Sequence, residues 1–424
     1  MNAVHPLSFA LALAFAAPVF STVARADYLP DPAAAEAALL ASPMVAQARG
    51  DFAAQALKSK SLRNGREEWT LSADALQRRI DSPQDRFAEW GVALSRPLRM
   101  PARAAADRAL AGALTAHAEA SLGEAMHESG RQLLALWFDW LSAASQTKVW
   151  LAQVAVADQQ LATVNARIRL GEAPRSERVN TEAALAQARL QQQQAATREQ
   201  RARSRLVAQY PGLPVTADDT LPQPVPPSGT AEDYVSTVLA HDHELSRARR
   251  QAEMLQAEAR QLASRRSVDP NVGVFYKNEM GGNEHLLGVS VGLTLPGSAR
   301  RTDQQAAEQL SATAQDAAIR LEQRLREEAR ANFEAAIAQT ANWQQADRAA
   351  QALAEAARLA ARAYSLGEGS LDQVLVNRRL ALEGQLMAQQ AQLDALSAEA
   401  RLKLDSHRLW PLDVEGTDSE HAHP

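Results

Sequence analysis

The chain contains no cysteine, which removes disulfides, thiolate metal sites, cysteine nucleophiles and an N-terminal lipid-modified cysteine together. Beyond the first segment no stretch approaches the ~18 unbroken apolar residues of a membrane-spanning helix. Any membrane crossing after export therefore falls to strands. An excess of positive charge is missing too: the 424 residues carry a net charge of −5, which leaves nucleic acid out as a partner. No Ser-His-Asp set, metal-ligand set or phosphate loop is present, so the sequence asks for neither an enzyme nor a cofactor. Aromatic residues make up only 5%, a sparse supply for the interfacial girdle of a membrane barrel. The most informative absence is local. No proline lies between Pro101 and Pro174, or between Pro296 and Pro411; in alanine-, glutamine- and arginine-rich sequence that argues for very long helices.

At the start, the apolar run Leu7 to Val23 ends in Ala24-Arg25-Ala26, the small-x-small pattern that a signal peptidase cuts. Residues 1–26 read as a signal peptide, with the mature chain beginning at Asp27. No Lys or Arg precedes the run, and a retained anchor is the rival reading. The run is, however, shorter than the ~20 apolar residues a spanning helix needs.

The mature chain is one unit written twice at a spacing near 200 residues. Leu39, Ala48 and Arg49 recur as Leu239, Ala248 and Arg249. Val92, Leu94 and Pro97 recur as Val291, Leu293 and Pro296, and Leu170-Gly171-Glu172 recurs as Leu366-Gly367-Glu368. The order is kept, as a structural repeat requires. The proline-rich stretch from Pro211 to Pro227 suits a stiff connector. The chain thus divides into a first repeat at 27–210, a linker at 211–230, a second repeat at 231–410 and a disordered tail at 411–424.

Each repeat predicts an opening helix (33–63, 231–266), a long helix (101–168, 298–365) and a returning helix (174–210, 370–409), the last two separated at Gly171 or Gly367. The long helices would each span about 100 Å at 1.5 Å per residue. Apolar residues Leu310, Ala314, Ala317, Leu321, Leu325, Phe333 and Ile337 step by threes, fours and their sums, the spacing of a coiled-coil seam. One opening helix plus one returning helix roughly equals one long helix, so stacking them end to end yields four matched rods. Between opening and long helices the period drops to two. Leu287, Val289, Val291, Leu293 and Leu295 alternate with small residues, and 270–278 precedes them across Gly281-Gly282-Asn283. Trp69 to Gln77 and Phe87 to Arg96 fill the same places around Ser82-Pro83. Four strands of about ten residues fit tilted transmembrane strands, but the smallest single-chain barrels have about eight. Such a barrel must be assembled from several chains.

Short motifs add a resemblance. Pro43-Met44-Val45-Ala46-Gln47-Ala48-Arg49 resembles the "P-x-x-x-x-A-R" opening of the TolC family of outer-membrane efflux proteins. Gly91 to Leu98 is similar to its strand exit "V-x-L-S-Q-P-L", and the continuation Pro101-Ala102-Arg103 to that of its heavy-metal-efflux branch. Ala363 to Leu375 is similar to its second helical turn "Y-x-x-G-x-x-S-x-x-D-V-L", with the Asp shifted by one. The resemblance covers essentially the whole mature chain. It implies a mainly α fold with a small β part: a long α-helical coiled-coil barrel, plus four strands per chain in a trimeric transmembrane β-barrel. It further implies a homotrimeric duct in outer-membrane lipid, reaching through the periplasm to a periplasmic adaptor (membrane fusion) protein and an inner-membrane RND transporter, and passing heavy-metal cations or, second, organic toxicants. The two Gly-Glu turns would be the adaptor-contacting periplasmic tips: Arg169, Leu170, Gly171, Glu172, Leu366, Gly367 and Glu368. Asp372 would contribute to an acidic constriction.

Bland readings stand beside these. The glycines end helices in any protein, and Asp372 at a helix start is stabilised there regardless of a gate. His241-Asp242-His243 and His421-Ala422-His423 have chelating spacing but sit at a helix start and in the tail. Trp137, Phe138 and Trp140, like Phe333 with Ile337, suit inter-helix packing. A periplasmic coiled-coil adaptor or a structural protein of an envelope transport system remains the alternative. The two strand hairpins and the repeat favour the duct.

Overall fold

The computed structural model describes residues 28–216 and 221–412; the expected signal peptide and the His421/His423 pair lie outside these. Each repeat has the same order of elements. The first runs α1 (Pro32–Leu40), α2 (Pro43–Asn64), β1 (Thr70–Asp81), β2 (Gln84–Pro97), α3 (Pro101–Arg169) and α4 (Arg175–Gln209). The second runs α5 (Ala231–His241), α6 (His243–Ser264), β3 (Asp269–Glu279), β4 (Glu284–Thr294), α7 (Ser298–Ser365) and α8 (Leu371–Asp405). With 69 residues in α3 and 68 in α7, each long helix is about 100 Å long. Along α3 pack α2 and then α4; along α7 pack α6 and then α8; α6 and α8 also touch α3. The matched-rod arrangement expected from helix lengths is the one observed.

The opening helices differ from expectation: each is two helices. Ser42 caps α2, its Oγ accepting from Val45 N, with Pro43 at the first helical position. Proline has no N–H to continue a preceding helix but is at home at this point. In the second repeat the break is at Asp242, whose Oδ1 accepts from Leu245 N at 2.7 Å. The His241-Asp242-His243 triplet thus stands at a helix start, as expected, but at one stacked directly on the end of another helix, with only Asp242 of the three buried.

The four strands form one antiparallel sheet in chain order, so β2 and β3 join the two repeats while β1 and β4 are its edges. Both strands of the first hairpin extend further than the apolar pattern indicated, to a turn at Ser82-Pro83. Their polar ends pair with each other: Arg78 meets Glu89 at 2.8 Å and, on β3, Glu279 at 2.9 Å. Register aligns Leu71, Leu94, Val274 and Val289 in one row across all four strands, and Ala73, Val92, Tyr276 and Leu287 in the next. Because side chains alternate, these rows share one face. The opposite face carries Ser72, Ala93, Phe275 and Gly288, then Asp74, Gly91, Lys277 and Leu286. There a β-carbon at Gly288 would fall inside the Phe275 ring, and one at Gly91 would meet the Asp74 carboxylate at 2.9 Å.

The main apolar core lies at mid-height, around the middle of α3. Trp137, Met126, Leu133, Leu206, Tyr210, Leu396 and Leu404 are buried in it. Trp137 donates through Nε1 to the Tyr28 carbonyl at 2.8 Å, so the aromatic cluster is packing, as its spacing suggests. Trp410 and Leu412 close this core, and the chain is packed two residues into the segment expected to be a disordered tail. The seam of α7 is also corrected. The buried stripe is Ala307, Ser311, Ala318, Leu325, Ala329, Phe333 and Thr340, whereas Leu310 and Ile337 are exposed. Leu325 and Phe333 of the expected seam are buried, but most of the other buried positions are alanine, serine and threonine, which allow close approach between rods.

Candidate functional site

At the end of the rods away from the sheet, α3 turns into α4 and α7 into α8. Both turns are built alike. Gly171 and Gly367 have φ +80, Glu172 N donates to Arg167 O at 2.9 Å and Glu368 N to Ala363 O at 3.0 Å. Each is a six-to-one closure that satisfies helix-end carbonyls and calls for glycine at the left-handed residue. Neither glycine has an atom within 4 Å of its notional β-carbon, so conformation alone demands it. The plain reading of the glycines as helix stops is therefore met, and it leaves the flanking residues at the surface. Arg169, Leu170, Glu172, Leu366 and Glu368 are all exposed.

The two turns lie side by side on a small core of Val164, Tyr364, Leu371 and Val374, so the structure unites the two sets of tip residues. Tyr364 holds them together. Its hydroxyl donates to Glu177 Oε2 at 2.5 Å, and the Arg167 guanidinium lies 4.5 Å from its ring centroid. Burial, with the Glu177 carboxylate adding to it, pushes the phenol up to about 12, which keeps it a proton donor. Arg167 also donates to the Glu172 carbonyl at 3.4 Å. One aromatic ring thus ties α7 to both arms of the α3–α4 turn. Sequence reasoning missed Glu177 and Arg167: Tyr364 stood in a recognised motif, but its partners lie 187 and 197 residues away, beyond any local signal.

Asp372 is exposed in the first turn of α8, where Asn180 Nδ2 donates to its Oδ1 at 3.4 Å. The capping role belongs instead to Ser370, whose Oγ accepts from Gln373 N at 3.2 Å. This frees the Asp372 carboxylate for a role other than holding its own helix. Among the described residues no group of three His, Asp or Glu side chains is arranged to hold a metal ion, and no helix is long and apolar enough to cross a membrane.

Two tandem repeats of rods about 100 Å long, joined through a four-stranded sheet with one apolar face, define the fold of the TolC-type outer-membrane channels. Three solved structures illustrate the likeness. The outer-membrane channel OprN matches with a TM-score of 0.75 at 16% identity, over 90% of each chain. The Campylobacter jejuni CmeC outer membrane channel matches at 0.73 and 12% identity, over 92% of this chain and 88% of that one. CusC, described for its transmembrane channel formation, matches at 0.68 and 12% identity, over 88% and 91%. No protein-family model matches the sequence, and no curated protein does.

Proposed function

We propose that three copies of this chain form the outer-membrane duct of a tripartite efflux pump, a passive conduit from an inner-membrane transporter and its adaptor to the cell exterior. The observation that carries this reading is the sheet. It has two open edges and an apolar face, with Leu287, Val289, Val291 and Leu293 each at least 61% exposed. An open sheet edge is not tolerated in lipid, and exposed apolar rows of this length are a liability in water. Three such sheets, joined β4 to β1, close a twelve-stranded barrel that hides the edges and turns the apolar rows to lipid. The small and polar face then lines the bore. Exposed apolar residues along the rods, such as Leu310, Ile319, Ile337 and Leu359 on α7 and Val179 and Leu190 on α4, suit rod-to-rod contacts between copies.

Within that duct the paired turns are the periplasmic tip. Exposed Leu170 and Leu366, flanked by Arg169, Glu172 and Glu368, are the surface offered to the adaptor. The Tyr364–Glu177–Arg167 contact holds the resting tip, and Asp372 is repeated around the axis. The resemblance of Pro101-Ala102-Arg103 to the heavy-metal-efflux branch is what suggests a heavy-metal cation as cargo. A conduit needs polar walls and a gate biased by a partner, not a catalytic group. The test is extraction from outer membranes in mild detergent, with the protein mass of the particle corrected for bound detergent. A particle of three chains, found with the outer membrane, supports the duct; a monomer soluble without detergent overturns it.

A further inference from the structure

The rods carry one large apolar core at mid-height and a small one at the tip. Between these levels α3, α4 and α8 leave a cleft of about 280 Å³. Its apolar wall is made by Trp150 and Val156 of α3, Ala184 and Ala188 of α4, and Leu375 and Leu382 of α8. Arg378, Arg379 and Gln160 also line it, and no aspartate or glutamate does. Apolar walls with a few placed polar groups are the make-up of a small-molecule site. Here the charged groups are all of one sign.

Arg378 lacks a counter-charge. Its Nη1 donates to Gln160 Oε1 at 3.0 Å, and burial alone acts on the guanidinium, pulling its pKa below the ordinary value with no carboxylate to offset the effect. Other half-buried arginines of the rods are paired, Arg99 with Asp107 at 2.8 Å and Arg131 with Asp405 at 3.1 Å. A guanidinium offers five N–H donors, so most of those on Arg378 are left for something else.

Gln160 adds a second donor without an acceptor. It is only 9% exposed, and its Nε2 is buried with no hydrogen-bond partner among the described residues. Because arginine only donates, the contact with Arg378 fixes which end of the amide is the oxygen. A buried donor left unpaired is uncommon and unfavourable, and a charge withdrawn from water without a partner is more so. Both residues line one cleft, and a negatively charged acceptor placed there answers both.

We propose that this cleft binds a small amphipathic organic carboxylate, with the carboxylate on Arg378 and the apolar body against Trp150, Val156 and Leu382.

The chemistry of the walls selects this class over an inorganic anion. The planar fork of a guanidinium matches the two oxygens of a carboxylate. The remaining oxygens of a phosphate or sulfate would face alanine, valine and leucine, whereas hydrocarbon buried against those side chains is stabilised. The size of the cleft, near the lower end of small-molecule pockets, limits the body to about one or two rings.

The test is calorimetric titration of the full-length, detergent-extracted protein with naphthoate, with the detergent titrated alone to subtract uptake by micelles. Naphthoate should bind saturably. Naphthamide has the same shape without the charge, and acetate has the charge without the apolar body; each should bind at least about tenfold more weakly. Arg378→Gln should weaken naphthoate binding roughly ten- to a hundredfold. Ala184→Phe, which fills the cleft and leaves the arginine in place, should abolish it. No saturable binding of naphthoate, naphthamide or acetate binding as tightly as naphthoate, or full affinity in either variant would each overturn the site. The first two of these outcomes need no variant to fold.

Discussion

In the proposed duct Tyr364 is the residue on which the resting tip turns, because its hydroxyl carries a hydrogen bond from α7 to Glu177 of α4. Tyr364→Phe keeps the ring under Arg167 and removes only the hydroxyl. Hydrogen bonds to a charged group contribute about 1.5–3 kcal/mol, so local opening of the tip should become roughly ten- to a hundredfold more frequent. Single-channel conductance in planar bilayers reads this directly: open events should become longer and more frequent, and an unchanged record would assign the bond no gating role. A second residue-scale expectation concerns Glu124. Its carboxyl, raised by burial, binds its proton more tightly in the native than in the unfolded chain. It therefore contributes stability below the unfolded value of about 4.5, and this is lost as pH rises through about 7. Glu124→Gln should accordingly stabilise the protein at about pH 8, by on the order of 1–3 kcal/mol, and make little difference at about pH 4. Thermal unfolding at both pH values checks it.

At the scale of elements, the apolar and polar faces of the sheet make opposite demands. Val291 stands on the apolar face and its neighbour Ser290 on the other. Arginine on a lipid-facing strand costs about 2–4 kcal/mol near mid-membrane and much less at the interfaces. Val291→Arg should thus reduce the assembled protein recovered from outer membranes several-fold, while Ser290→Arg should assemble and narrow the bore; equal recovery would remove the lipid-facing assignment. The same alternation is why β4 was legible in the sequence, and the long helices were legible because Pro101, Gly171, Gly367 and Pro411 punctuate uninterrupted helix-forming runs. The α7 seam was legible only in part. Leu325 and Phe333 are buried as expected, but the remaining buried positions are mostly alanine, serine and threonine, so a stripe anchored on Leu310 and Ile337 drifts onto the face left exposed in the single chain. The Asp242 joint was likewise hidden. Aspartate flanked by histidines signals a helix start, and only the tertiary stack reveals that another helix ends one residue earlier.

For the whole molecule, the proposed function depends on what threefold symmetry would make of single residues. The two glycine turns could be placed from sequence because they recur in order, but the ties to Glu177 and Asn180 join distant parts of the chain. Asp372 in one chain is an exposed carboxylate accepting a 3.4 Å hydrogen bond from Asn180. Around the threefold axis of the proposed duct it would become three carboxylates, whose field favours cations over anions and whose repulsion opposes close approach. Asp372→Asn retains the amide-to-oxygen contact with Asn180 while removing all three charges at once. Reversal potentials under a salt gradient should then show cation preference falling several-fold, most clearly at low ionic strength, where screening is weak. Substituting Asp74 instead, on the bore face of the sheet, should change selectivity less, because Lys277 occupies the same row. If Asp372→Asn leaves the reversal potential where it was, the carboxylate serves only to hold Asn180, and the narrowest charged ring must be sought elsewhere along the conduit.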